Sequence, residues 1–158
     1  MKTRTSLITR QRGLAAVEAT IVMPIMLLLV LAIGEFGRML YQYNTLTQAV
    51  RAGARTVSAS DNSGTFELTA EMEQKVRNLI LYGQEVVGTA PVLPGLAAGD
   101  ITFVGPFEVP AIDGDPYIQI RVSYSWQPMF GLGFNTFFGE TLSLDFPLQT
   151  SMTMRVLQ

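Results

Sequence analysis

At 158 residues the chain has room for one small domain plus an anchor. Hydrophobic residues make up 48% of it and charged residues 15%, and the first 34 residues are the more hydrophobic part. The net charge of −2 leaves no overall basic footprint for nucleic acid. Because Cys and His are both absent, disulfides, thiol nucleophiles, His-based triads and the usual zinc sites are excluded, and with them most ordinary hydrolase chemistry. No cofactor and no metal site are expected.

The chain opens on a basic leader, residues 1–13, in which Lys2, Arg4, Arg10 and Arg12 stand without an acidic residue among them. Leu14 to Gly34 follows, 21 residues in which Glu18 is the only charge. A helix of that length covers roughly 31 Å at about 1.5 Å per residue, close to the ~30 Å hydrocarbon core of a bilayer. Residues 14–34 therefore read as a single-pass membrane helix. The basic leader keeps the N-terminus cytoplasmic, so the remainder is expected to be exported. A carboxylate inside such a span costs a few kcal/mol at mid-bilayer, and Glu18 is tolerated most easily if something pairs with it. Pro24 removes one helix hydrogen bond, which membrane helices accommodate.

Beyond Gly34 the apolar pattern narrows to a stripe. Phe36, Met39, Tyr43, Leu46, Val50, Gly53 and Val57 recur at alternating spacings of three and four, one face of an amphipathic helix over residues 35–58. Arg38, Gln42, Gln48, Arg51 and Arg55 fall largely on other faces. The stripe can pack on the chain's own C-terminal domain or against a neighbouring subunit, and both can hold at different heights along one helix.

Residues 59–158 read as an exported α+β domain. Ser58 to Thr65 is polar and turn-forming, so the long helix should end there. A second helix is expected from about Phe66 to Tyr82, with Gly83 as its stop. Residues 88–99, rich in Gly and Pro, read as a linker loop. Short extended pieces follow at Ile101–Val104 and Phe107–Val109. The segment from Tyr117 to Trp126 alternates, with Ile118, Ile120, Val122, Tyr124 and Trp126 on one face. Thr141 to Val156 reads as one long strand or two broken at Pro147, with Leu142, Leu144 and Phe146 sharing a face. Three or four antiparallel strands packed on the helices would make an α+β fold with a small C-terminal sheet.

Other constellations carry less chemistry. Asp113-Gly114-Asp115 pairs two carboxylates in what reads as a hairpin turn, far short of the six to eight oxygens calcium takes. Glu71 and Glu73 with Lys75 and Arg77 read as a solvated helix face. Met129 to Phe138 holds four phenylalanines, and either docks on a partner or membrane surface or folds back into the core.

Arg10-Gln11-Arg12-Gly13 followed by an apolar run with Glu at its fifth position resembles the signal of type IV prepilins. With Gly34-Glu35-Phe36-Gly37-Arg38, Tyr41 and Ala49-Val50-Arg51-Ala52-Gly53-Ala54-Arg55, the ordered pieces over residues 10–58 resemble the TadE-like family, minor pseudopilins of tight-adherence (Flp pilus) systems. One departure is Ala19, where that family usually has an aromatic residue. The resemblance implies cleavage between Gly13 and Leu14 by a prepilin peptidase, and a role for Glu18 in assembly and processing. It also implies the inner membrane, other pilins and pseudopilins and the pilus assembly platform as partners. The protein is then a peptidase substrate and not an enzyme. Two alternatives share the sequence. One is a secreted soluble binding domain with an ordinary signal peptide cut after Ala32-Ile33-Gly34; the other is an unprocessed, membrane-anchored assembly factor.

Overall fold

A computed structural model describes residues 5–59, 68–104, 117–129, 131, 133–135, 139 and 141–155. The chain divides into two units, Met1–Arg38 and Met39–Gln158. The architecture is α+β: a long N-terminal helix, a second helix and small antiparallel sheets. Helix α1 runs Thr5–Ser58, so it supplies the described part of the first unit and opens the second. It begins ahead of Gly13, where the sequence reading ends a leader. Nothing in Thr5–Arg12 breaks a helix, since neither Pro nor Gly occurs there. Its last turn carries Arg55, favourably placed at the negative end of the helix dipole, and is closed by the Ser58 hydroxyl donating to the Arg55 carbonyl at 3.1 Å.

Helix α2 spans Ala70–Tyr82, four residues shorter at its start than the sequence suggested. Thr69 sets the boundary, because its side chain accepts from the Met72 amide at 3.3 Å and caps the first turn. Phe66, the expected start, lies outside the described residues. Gly83 ends the helix as expected. Its φ of 72° is left-handed, and its amide donates to the Leu79 carbonyl.

Strands β1 (Ile101–Val104), β2 (Tyr117–Ser125) and β5 (Pro147–Arg155) form an antiparallel sheet in the order β1-β2-β5. Ile101 pairs with Val122 on one side of β2, and Ile120 with Met152 on the other. Strands β3 (Gly133–Asn135) and β4 (Thr141–Ser143) make a separate two-stranded ribbon. Strand β3 lies within the phenylalanine-rich stretch Met129–Phe138, to which the sequence assigned no strand, and of the two readings of the last segment the structure follows the one broken at Pro147, with Leu144–Phe146 between β4 and β5. A proline at a strand's first residue forfeits no interior ladder bond. Phe107–Val109, Asp113–Asp115, Phe130, Leu132, Thr136–Phe138 and Val156 lie outside the described residues.

The core of the second unit joins α1, α2 and the sheet. Ile118, Ile120, Val122 and Tyr124 of β2 are buried, as is Trp126 just after it, so the predicted alternation holds. Leu46, Val50, Ala54 and Val57 of α1 meet them together with Val76, Ile80 and Leu81 of α2. Each large aliphatic side chain among these, fully buried, contributes about 1.5–3 kcal/mol. The Gly/Pro-rich segment read as a linker is instead pinned to the domain. Leu93 and Leu96 are buried, the Val92 amide donates to the Leu81 carbonyl at 2.7 Å, and the Tyr124 hydroxyl donates to the Pro94 carbonyl at 2.7 Å. Arg77 departs from the solvated face predicted for it. Only 19% exposed, it donates to the carbonyls of Ala98 and Ile101, pairs with Glu73 and lies 5.2 Å from the Phe103 ring centre. Glu71 and Lys75 do form an exposed pair at 2.9 Å, which lowers the Glu71 carboxyl from its ordinary value, chiefly through the hydrogen bond.

Candidate functional site

In the first unit, the residues from Gly13 to Leu27 are all exposed, as are most of those from there to Gly34. Ile21, Val22, Met23 and Leu27 point in different directions around the helix, and each leaves about two-fifths of its surface or more uncovered. A helix that met a protein core would bury one stripe, whereas one apolar on every side needs an apolar surround. Among the described residues this is the helix long and apolar enough to cross a membrane, so a membrane-anchored protein is what the chain fits.

Glu18 stands one turn beyond Leu14 and one turn before Val22, with its side chain exposed on that apolar surface. Nearby, the Thr20 hydroxyl donates to the Ala16 carbonyl at 2.8 Å, so that its polarity is met within the helix. Gly13 is exposed and would meet nothing within 4 Å if it carried a side chain, so packing does not require a glycine there. At the other end of the unit, Glu35 is only 5% exposed and accepts from Arg38 at 3.0 Å. The sequence reading did not pick out this pair, although its three-residue spacing is the signal for it.

Within the second unit α1 sorts the predicted stripe into two parts. Leu46, Val50, Gly53 and Val57 are buried in the domain core, and Met39 packs against it. Gly53 is where the two helices approach closely: a methyl group there would lie 3.0 Å from Ile80 Cδ1 and Cγ1 and 3.1 Å from Val76 Cγ1. Tyr43, by contrast, is 39% exposed, beside the exposed Leu40 and Tyr41. Phe36, in the first unit, is 53% exposed. Gln42, placed on an outer face by the sequence reading, is buried instead. The correction has a simple origin. At about 100° per residue Gln42 and Tyr43 flank the Met39, Leu46 and Val50 stripe on opposite sides, so the period alone does not decide between them, and the domain covers the Gln42 side.

No curated protein and no solved structure matches the chain. A family model does match, over residues 13–55, and its description is TadE-like protein. The matched stretch starts at Gly13, takes in Glu18 and the exposed apolar helix, and ends just past Gly53, so the segment that carries the candidate site is the part of the chain similar to that family.

Proposed function

We propose that the protein is a non-catalytic minor pseudopilin of a tight-adherence (Flp-type) pilus system, acting in pilus assembly or initiation. The observation that carries this reading is the all-round apolar exposure of α1 around a single carboxylate, Glu18, inside the TadE-like stretch. A helix of that kind inserts in the inner membrane, with the basic leader cytoplasmic and the α+β domain exported. Prepilin peptidase then cuts between Gly13 and Leu14. The new amine of Leu14 and the carboxylate of Glu18 lie about 6 Å apart along the axis of one helix, at about 1.5 Å per residue. An axially shifted neighbour brings amine and carboxylate together better than the same chain does. Phe36 in the first unit, and Leu40, Tyr41 and Tyr43 in the second, are left uncovered and support helix packing between subunits.

Sequencing the N-terminus of the protein recovered from cells tests the reading. The expected start is Leu14-Ala15-Ala16-Val17-Glu18. A start at Glu35 would replace it with the secreted-domain reading, and an intact Met1 with that of an unprocessed, anchored assembly factor.

A further inference from the structure

We propose that the edge of β5 facing away from β2 pairs with β5 of a second copy of this chain, antiparallel and centred on Ser151. Strand β5 is nine residues long and, among the described residues, has β2 as its one neighbour. Long edges are normally blunted by charge, by an inward-pointing Lys or by shortness. Pro147 to Met154 carries no charge at all, and its proline stands only at the first position. The opposite edge of the same sheet, β1, shows the ordinary solution, with four residues whose start is held by Arg77.

The side chains beneath the β5 edge are also incompletely covered. Leu148 is buried, while Met152 and Met154 pack against the core yet keep part of their surface. Gln149, Ser151 and Thr153 face solvent. A partner strand at this edge would therefore have to offer mainly apolar groups below, beside Leu148, Thr150, Met152 and Met154, and uncharged polar groups above, beside Gln149, Ser151 and Thr153.

The strand itself meets that requirement. Centring an antiparallel pair on Ser151 aligns all nine residues of both copies and opposes only residues of like face. Leu148 meets Met154 and Thr150 meets Met152 below, and Gln149 meets Thr153 above. Arg155 falls opposite Pro147, so no like charges confront each other. A two-fold contact needs one surface complementary to itself, and that self-complementarity selects a second copy over a foreign strand. The inference rests on β5 and is independent of cleavage at Gly13 or of Glu18.

Because the chain has no cysteine, single cysteines report on the contact cleanly. Directly opposed residues in an antiparallel pair have Cα atoms about 4.5–5.5 Å apart, within disulfide reach. In the full-length protein in membranes, mild oxidation of Ser151→Cys is expected to give a disulfide-linked dimer. Co-expressed Gln149→Cys and Thr153→Cys chains should give the mixed dimer several-fold above either self-dimer, since self-pairing leaves a mismatch of about four residues, roughly 13 Å at ~3.3 Å per residue. Lys75→Cys, on the exposed face of α2, should stay monomeric. Failure of Ser151→Cys to crosslink overturns the proposal. Equal yields from the mixed and self pairs, or from Lys75→Cys, also overturn it, because they would reflect collision without register.

Discussion

Gly53 offers a quantitative test of how α1 is seated on its domain. An alanine in a helix interior is favoured over glycine by about 0.8–1 kcal/mol, so propensity alone makes Gly53→Ala stabilising. The close approach of α2 opposes this. The new methyl would sit 3.0 Å from two Ile80 carbons and 3.1 Å from Val76, whereas carbon–carbon contacts are optimal at about 3.5–4.0 Å. Ile80 and Val76 are both fully buried, so neither can swing out to make room. Overpacking of that kind costs about 1–3 kcal/mol, which leaves Gly53→Ala destabilised by about 0–2 kcal/mol instead of stabilised. Removing Ile80 Cδ1 should relieve one of the short contacts. Ile80→Val, which alone costs about 0.5–1.5 kcal/mol, is expected to cost less when combined with Gly53→Ala. Urea unfolding of the detergent-solubilised full chain, followed through the buried and sole tryptophan, Trp126, measures wild type, both single variants and the double variant. If Gly53→Ala gains the full propensity term and the two substitutions add, the helices do not meet closely at Gly53 and the packing argument fails.

The other predictions concern charge. Glu18→Ala should leave membrane insertion and leader cleavage largely intact yet abolish crosslinking to the other pilins. Stranding one member of a poorly solvated ion pair costs about 3–5 kcal/mol, and equal crosslinking by wild type and mutant would remove the role assigned to Glu18. Arg77→Met keeps the side-chain stem but strands the Ala98 and Ile101 carbonyls, and should lower stability by about 1.5–3 kcal/mol, the scale of a hydrogen bond to a charged group. A change within a few tenths of a kcal/mol would mean those carbonyls are met by water. Lys75→Gln should raise the Glu71 carboxyl towards its ordinary value, because Lys75 is what lowers it. A carboxyl lowered by folding adds stability above its unfolded pKa and loses it as pH falls through the folded one, so wild type should lose slightly more than Lys75→Gln on acidification. An NMR titration of Glu71 that is the same in both proteins contradicts the pairing.

The N-terminal third was legible because its physics is local. A run of 21 residues with one carboxylate as its only charge admits few structures besides a spanning helix, and the strict alternation from Ile118 to Trp126 leaves one face for the core. Gly83 could be named as a stop for the same reason, since only its own backbone had to accept a left-handed φ. What the sequence left undecided was set by contacts between segments far apart in the chain. Arg77 looked like a surface residue until the 98–101 segment came within reach of its guanidinium. The Pro- and Gly-rich segment looked like a linker until Tyr124, 30 residues on, bonded to Pro94 and the core took in Leu93 and Leu96. The split of α1's stripe, with Gly53 packed and Tyr43 left open, likewise depends on where α2 lies. Periodicity says which residues share a face, but only tertiary packing decides how much of that face is covered.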